Sequence, residues 1–257
     1  MASDSVSFDR AVEYYDQTRG FPPGVDAEVA KAFVQAGNLT QTSRVLEIGV
    51  GTGRIALPLA RHVKAYFGID LSGKMLGKLR EKQTDEPLYV VIGDATHLQF
   101  DTGTFDAVVA VHVFHLIPNW RDALAEVARV LKPQGLLLHG GGRGSGTDRL
   151  NELWRQAIKA QRHGPFPRGE TEAFIEHAGW SRVGEAVHRY SDAKSPQQFL
   201  DSIRNRLWSS CWSMSDEELD AGYQTMLAYV REHYPDPTQP VVNEYTFHIG
   251  AYRRPNP

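Results

Sequence analysis

The stretch from Glu47 to Gly53 constrains the fold more than any other part of the chain. It reads Glu-Ile-Gly-Val-Gly-Thr-Gly, with a glycine at every second position from Gly49 onwards. A short apolar run, Val45 to Ile48, precedes the glycines, and an apolar helical pattern resumes at Ile55. The segment therefore predicts a strand, a tight turn and a helix start, the opening of a nucleotide-type binding unit. Glycine permits positive φ in such a turn and lets a ligand approach the bare backbone.

The glycine spacing separates three classes of ligand. A dinucleotide turn follows the pattern G-x-G-x-x-G/A, but Arg54, a bulky cation, stands at the third glycine position. This residue disfavours an NAD-dependent oxidoreductase. A phosphate-binding loop ends in Lys followed by Ser or Thr, whereas the nearest match, Gly68 to Met75, ends in Lys-Met. The pattern that remains is E-x-G-x-G-x-G.

Strand-like runs follow the turn in a regular order. Tyr66 to Asp70 ends in an acid 21 residues after Gly49. A carboxylate at about that distance is placed to accept hydrogen bonds from ribose hydroxyls. The later strand-like runs are Leu88 to Ile92, Phe105 to Val111, Gly135 to Leu138, Ser181 to Tyr190 and Asn243 to Arg253. Helical patterns lie between them, so the sequence predicts an α/β fold.

Residues 44–140 resemble the class I S-adenosylmethionine-dependent methyltransferases, and the type 11 methyltransferase domain family in particular. The resemblance implies a Rossmann-like, doubly wound and mostly parallel seven-stranded sheet whose last strand is antiparallel, with an added helical cap. It also implies an enzyme that uses S-adenosyl-L-methionine as cofactor. The acceptor is expected to be a small, at least partly apolar molecule, because the segments long enough to cover the site are rich in aromatic residues. In the family, the glycine turn contacts the methionyl part of the cofactor, and an acid after the third strand meets the adenine amino group.

The resemblance also indicates which residues would contact the cofactor. They are Tyr15, Arg19, Glu47, Gly49, Gly51, Gly53, Asp70, Met75, Asp94, Ala95 and Val111. Three of these have a second interpretation. Glu47 fits equally well as a structural acid below the turn, Met75 as ordinary helix core, and Arg19 as a solvated cation.

Residues 1–40 are predicted to form a helical segment that closes over the cofactor, as in many relatives. Phe8 to Asp16 reads as a helix, and Gly20 to Gly24 breaks it. Asp26 to Gln35 reads as a second helix leading to the first strand. The alternative for Tyr14 and Tyr15 is simple packing of the first helix onto the body.

Two histidines are candidates on the acceptor side. His115 follows the fourth strand, and His139 ends the fifth. Because imidazole titrates near neutral pH, His115 is a candidate general base, although a packing role is at least as consistent with its position. The residues expected to bind the substrate are Tyr14, His115, His139, Trp208 and Trp212.

Residues 195–240 are too many for a simple connection and too helical in pattern to be unstructured. They are predicted to form a helical cap over the acceptor site, inserted into a core of residues 41–194 and 241–257. Ser195 to Trp208 and Asp216 to His233 read as its helices. Trp208 and Trp212 would share one helical face, as core or as an aromatic wall. In contrast, Gly140 to Gly146 is predicted to be a loop.

Composition excludes several other functions. The chain has 257 residues, a formal net charge of -3 and a single cysteine. Without a basic stripe, nucleic acid is not an expected partner, and without a long apolar run, neither is a membrane. The scattered histidines argue against a metal site. The polar start and the lone cysteine favour a cytoplasmic location. A monomer or homodimer is expected. The alternative function is a non-catalytic protein that binds an S-adenosyl ligand.

Overall fold

A computed structural model describes residues 8–144, 149–158 and 171–255. Its seven strands are β1 (Arg44–Ile48), β2 (Ala65–Asp70), β3 (Leu88–Ile92), β4 (Phe105–Val111), β5 (Leu131–Gly144), β6 (Ser181–Lys194) and β7 (Val241–Arg253). The helices of the first half are α1 (Tyr15–Arg19), α2 (Val25–Gly37), α3 (Ala56–Ala60), α4 (Gly73–Lys82) and α5 (Trp120–Val130). Those of the second half are α6 (Arg149–Ala157), α7 (Thr171–His177), α8 (Pro196–Arg204) and α9 (Asp216–His233).

The strands form one sheet in the order β3-β2-β1-β4-β5-β7-β6. The pairs β1–β2, β1–β4, β2–β3 and β4–β5 are all parallel. The predicted Rossmann-like sheet, mostly parallel with an antiparallel strand near its end, is confirmed. Strands β2 and β3 lie on one side of β1, and β4 and the later strands lie on the other side. Parallel α/β sheets bind ligands at the carboxyl edge, at the point where the strand order changes side in this way.

The central strands are buried, which explains their continuous apolar sequences. From Phe105 to Val111, every residue except Asp106 is buried. Asp106 lies at the amino end of the sheet, where its carboxylate accepts hydrogen bonds from the Arg44 backbone N–H at 2.8 Å and from Lys132 Nζ at 2.7 Å. Strands buried on both faces have no polar alternation, and this pattern identifies the middle of the sheet.

Three predicted elements differ from the structure. The predicted helix from Phe8 to Asp16 is a 3₁₀ turn at Asp9–Ala11, followed after a turn by the short α1. The sequence predicts a helix and turn over Leu124 to Pro133, but α5 begins earlier, at Trp120, and β5 is much longer than the predicted run from Gly135 to Leu138.

The predicted loop from Gly140 to Gly146 is wrong for Gly140 to Gly144, which belong to β5. Gly140 pairs with Val111 of β4, and a side chain there would meet Phe33 at 2.8 Å. The absence of a side chain at Gly140 lets neighbouring side chains pack closely against the strand. The glycine run predicted as a loop is therefore the last part of β5. Residues 145 and 146 lie outside the described part of the chain.

The described residues divide into two compact units. The first comprises 8–141, 171–188 and 247–255, and the second comprises 142–144, 149–158 and 189–246. The second unit therefore contains α8 and α9, as in the predicted 195–240 segment, together with α6 and the ends of three strands. Ser195 caps α8 and Ser215 caps α9, each through a reciprocal capping box.

Trp208 and Trp212 would share one helical face only if the helix continued as far as Trp212, and it does not. Helix α8 ends at Arg204, and a 3₁₀ turn, Ser209–Cys211, separates the two tryptophans. Arg206 adopts φ 50°, a left-handed conformation that ends a helix.

No helix among the described residues combines the length and the apolar composition that crossing a bilayer requires.

Candidate cofactor site

The three glycines after β1 all adopt positive φ, but they serve different purposes. The φ angles are 70° at Gly49, 54° at Gly51 and 82° at Gly53. A side chain at Gly49 would come within 2.6 Å of Val113, and one at Gly53 within 2.8 Å of Leu79. At Gly51 an added Cβ would meet nothing within 4 Å. Gly49 and Gly53 are therefore needed for packing, whereas the bare backbone of Gly51 faces open space.

A cleft opens beside this turn. Its lining residues are Tyr15, Glu47, Gly49, Val50, Gly51, Thr52, Arg54, Ile55 and Val111. Five of the eleven residues predicted to contact the cofactor meet here: Tyr15, Glu47, Gly49, Gly51 and Val111.

Asp70 lies next to the turn at the carboxyl end of β2. Its carboxylate accepts hydrogen bonds from the Gly51 N–H at 2.8 Å and from the Ser72 N–H at 2.9 Å. Burial raises the pKa of Asp70, while these two N–H groups oppose the rise. Because a carboxylate has about four lone-pair positions, Asp70 can still accept bonds from a ligand. The residue both holds the turn and faces the carboxyl edge of the sheet.

Glu47 lies beneath the turn and is almost fully buried, with 2% of its surface exposed. The Tyr66 hydroxyl donates a hydrogen bond to Glu47 Oε2 at 2.8 Å. Burial raises the pKa of Glu47 to about 8, although the Tyr66 hydrogen bond and the charge of Arg54 oppose this rise. The carboxyl group is therefore mostly neutral at pH 7, so its side chain adds little negative charge to the cleft.

Residues 8–21 are fastened to the glycine turn and to α4 by polar contacts. The Thr52 hydroxyl donates to Asp16 Oδ1 at 2.5 Å, and Lys82 Nζ donates to Asp16 Oδ2 at 2.7 Å. Arg54 donates to the backbone carbonyl of Arg19 at 2.6 Å. The N-terminal segment thus lies against the cleft, and Arg19 contributes its backbone to this contact.

A second contact of this N-terminal segment lies nearer to Asp70, the last residue of β2. The Ser72 hydroxyl donates a short hydrogen bond to Asp9. The charge of Asp9 also contributes to the raised pKa of Asp70, so the two carboxylates are close. Arg54 lies 4.7 Å from the ring centre of Phe21, which adds a cation–π contact at the other end of the segment.

Sequence reasoning missed Asp9, Asp16, Thr52 and Arg54. Thr52 lies inside the glycine motif and Arg54 directly beside it, where its bulk argues against a dinucleotide. Their side chains could have been predicted to meet whatever covers the turn. The two aspartates carried no local signal, because they act through contacts with residues that are distant in sequence.

The end of β3 supplies a different surface at the same edge of the sheet. Asp94 Oδ1 accepts hydrogen bonds from the Thr96 N–H and hydroxyl, both at 2.8 Å. Ile92 pairs with Asp70 across the strands and is 60% exposed, and Leu71 is 43% exposed. An open apolar surface therefore lies between the two predicted acids.

Several predicted contact residues lie elsewhere. Met75 is 1% exposed and packs in the core, and Ala95 is also buried. His115 lies in the 3₁₀ turn Phe114–Leu116, with 8% of its surface exposed. His139 is equally buried, and its ring centre is 6.3 Å from that of Phe114. The Nδ1 atom of His139 also lies 3.9 Å from Glu172 Oε1.

The remaining predicted substrate residues are divided between the two units. Tyr14 precedes α1 in the first unit. In the second unit, the Trp208 ring packs 5.0 Å from that of Phe199, and Trp212 Nε1 donates to the Arg206 carbonyl at 2.9 Å. Among residues 8–144, 149–158 and 171–255, no group of three or more His, Cys, Asp or Glu side chains could hold a metal ion.

The fold and the glycine turn are those of a class of Rossmann-like transferases. Residues 46–139 match the family described as "Methyltransferase domain", type 11. Residues 46–139 therefore form a class I S-adenosylmethionine-dependent methyltransferase domain.

Two curated relatives are similar to this chain. A phosphatidylethanolamine N-methyltransferase of Cereibacter sphaeroides is 43% identical over 96 residues, which are 36% of this chain and 47% of the relative. A fatty-acid O-methyltransferase of Mycolicibacterium smegmatis is 35% identical over 136 residues, 50% of each chain. The chain thus spans about half the length of the curated relatives it matches.

A solved structure shows the same fold. It is the phosphoethanolamine N-methyltransferase 2 of Haemonchus contortus, in complex with phosphomonomethylethanolamine and S-adenosylhomocysteine. The TM-score is 0.54 at 20% identity, and the match covers 96% of this chain and 58% of the other.

Proposed function

We propose that the protein is an S-adenosylmethionine-dependent methyltransferase that acts on a small molecule. The single observation that supports this most is the open backbone of Gly51, with the Asp70 carboxylate hydrogen-bonded to it at 2.8 Å. A ligand lying on this backbone would reach the carboxylate at the same time.

The residues of the cleft suit an S-adenosyl group better than a pyrophosphate. Asp70 presents an acceptor-only carboxylate beside the turn, and Asp9 lies close to it. A phosphate anion would be repelled by both, whereas ribose hydroxyls would be bound. The exposed side chains of Leu71 and Ile92 would cover an adenine ring. Asp94, with Oδ1 held by Thr96, would face the exocyclic amino group of that ring.

When bound, the cofactor supplies a methyl group that is already activated by its sulfonium. The task left to the chain is to orient the donor and acceptor and to keep water away. Glu47 and Gly51 would contact the methionyl end, and Tyr15 would cover it from the N-terminal segment. In this proposal residues 8–40, the described part of the predicted 1–40 segment, act as a lid that the Asp16 and Arg54 contacts hold closed.

The acceptor is proposed to be a small, partly apolar molecule. The two relatives named above act, by their names, on a phospholipid amine and on a fatty acid, and these two classes are the first acceptors to test. The cap role of residues 195–240 over the acceptor, like the cytoplasmic location and the monomeric or dimeric state, remains a prediction. The helical cluster of the second unit is rich in aromatic and aliphatic side chains, which is compatible with an apolar ligand.

Cofactor binding is tested by titration calorimetry with S-adenosylhomocysteine, NAD and ATP. We expect binding of the first alone, and binding of NAD alone would contradict the proposal. The sharpest variant is Gly51→Ala, with Gly103→Ala as control. Both glycines have positive φ and open space around a new Cβ, so the backbone strain is similar. Only Gly51 lines the cleft, so only its variant should lose affinity, by at least about tenfold.

Catalysis is tested by transfer of a labelled methyl group to phosphatidylethanolamine vesicles and to palmitate. Turnover of either acceptor would support the enzyme. Binding of S-adenosylhomocysteine without turnover of these or other small acceptors would instead favour a non-catalytic binding protein.

A further inference from the structure

One residue at the edge of the sheet has an unusual backbone. His112, the first residue after β4, adopts φ 51° and is exposed. Among the residues that the structure describes, only Asn38 and Arg206 share a positive φ without being glycine. A left-handed conformation is unfavourable for a residue with a Cβ, and it is tolerated best by glycine and asparagine.

The other two residues have an ordinary structural reason for this conformation. Asn38 is the C-cap of α2, and its N–H donates to carbonyls at the end of that helix. Arg206 follows the end of α8. Helices commonly terminate with one left-handed residue, which satisfies the last carbonyls. His112 follows a strand, so helix termination does not explain its conformation. Strained residues of this kind concentrate at functional sites.

The surroundings of His112 place it at the carboxyl edge of the sheet. Val111, its neighbour in sequence, lines the cleft beside the glycine turn. A Cβ added at Gly141 would lie 3.7 Å from His112 Cε1, so the imidazole lies over the bare backbone near the end of β5. His115 and His139 are each 8% exposed, whereas His112 is exposed and reachable by a second ligand.

We propose that His112, rather than His115, is the catalytic base of the methyl transfer. This inference rests on the proposed function and makes its acceptor more specific. As the methyl carbon leaves the sulfonium sulfur and bonds to the acceptor oxygen or nitrogen, the C–S electron pair stays on sulfur. The proton lost by the acceptor passes to a ring nitrogen of His112. Such a base is useful only for an acceptor that carries its proton at neutral pH, such as an alcohol, a phenol or an ammonium group. An ammonium group must give its proton to the base before its nitrogen can attack the methyl carbon. A carboxylate has no proton to give.

The first test separates strain from function. His112→Gly relieves the left-handed backbone, so its melting temperature should equal or exceed that of the wild type. Its kcat should fall at least about a hundredfold, as expected for the loss of a general base. Asn38→Gly is the matched control, since it changes a left-handed residue far from the cleft in the same way. That variant should retain full activity.

The second test uses pH and three acceptor probes: phosphatidylethanolamine vesicles, 4-nonylphenol and palmitate. With an amine or phenol probe, the wild-type kcat should fall as the pH is lowered through the imidazole range, because the base becomes protonated. His112→Gln should lose both this dependence and most of the rate, while S-adenosylhomocysteine binding stays within about twofold.

Each outcome decides between the two proposals. If the wild type fails to bind S-adenosylhomocysteine, or turns over none of the three probes, the proposed methyltransferase function fails and the role of His112 fails with it. If it turns over palmitate alone, or if His112→Gln keeps the full rate and the acidic limb, the proposed function stands and the role of His112 is overturned.

Discussion

The glycine turn of the first unit and the helical cluster of the second are held together in opposite ways. Around the turn, Gly51, Asp70 and Thr52 are joined to their neighbours by directed hydrogen bonds of 2.5–2.8 Å. The cluster of the second unit is a contiguous apolar core, in which Ile203, Cys211 and Met226 are fully buried. Within it, the buried Trp154 Nε1 has no acceptor among the described residues.

This difference determines how each region responds to change. Hydrogen bonds and backbone angles have narrow geometric tolerance, so single polar substitutions near the turn should alter ligand affinity or pH dependence. Apolar packing tolerates exchange of similar shapes, so single aromatic exchanges in the cluster should have smaller effects. Three predictions test the comparison.

The largest expected effect concerns the buried carboxyl under the turn. Because the pKa of Glu47 is raised from 4.5 to about 8, folding favours its protonated form. Its contribution to stability is fully present below about pH 4.5 and is lost as the pH rises through 8. As the pH rises from about 4.5 to 8, the free energy of unfolding of Glu47→Gln should therefore increase relative to that of the wild type, by on the order of a few kcal/mol. Denaturant unfolding at pH 5, 7 and 9 measures the difference.

Glu86 provides a control, because its pKa is shifted in the opposite direction to that of Glu47. Burial tends to raise its pKa, but hydrogen bonds from Arg61 and the Thr84 N–H lower it to about 2. Its stabilising contribution is present above about pH 4.5 and is lost as the pH falls towards 2. The free energy of unfolding that Glu86→Gln loses relative to the wild type should be constant between pH 5 and 9. A Glu47→Gln difference that is equally flat would show that Glu47 is ionised throughout.

A smaller effect is expected for the acid that holds Gly51. Asp70→Ala should weaken S-adenosylhomocysteine binding by about tenfold or more, since a hydrogen bond to a charged group contributes about 1.5–3 kcal/mol. Asp106→Ala is the control, because Asp106 also accepts a 2.8 Å bond from a backbone N–H but lies at the other end of the sheet. Calorimetry should show unchanged affinity for that variant. Equal losses in the two variants would mean that Asp70 acts only through stability.

The smallest effect should be seen in the second unit. Trp212→Phe removes a 2.9 Å hydrogen bond to the Arg206 carbonyl and should cost about 1 kcal/mol of unfolding free energy. Trp154→Phe loses more buried surface but also removes an unsatisfied N–H, so it should be close to neutral. If Trp154→Phe were the more damaging change, burial alone would govern this cluster.

The same contrast explains what could be predicted from the sequence. Glu47 to Gly53 and Asp70 were readable because the turn needs glycine at fixed positions, and because the acid follows a buried strand. Strands β1 and β4 were readable because strands with two covered faces need continuous apolar runs. These features depend on residues that are neighbours in the chain.

The predictions from the sequence were wrong or incomplete where the structure depends on contacts between residues that are distant in sequence. Gly140 to Gly144 read as a loop because glycine has low strand propensity, yet pairing with Val111 and cover by Phe33 make a strand there. The role of Asp16 depends on Thr52 and Lys82, which lie 36 and 66 residues away. The conformation of His112 had no sequence signal, because nothing in the local pattern called for positive φ.

The only cysteine in the chain also provides a built-in probe. Cys211 is fully buried in the cluster of the second unit. A thiol reagent can reach it only when that unit opens, so the labelling rate under native conditions measures the local opening equilibrium. No mutation or attached dye is needed. If an acceptor orders the second unit, adding that acceptor should slow the labelling, and unknown acceptors could be sought by this protection alone.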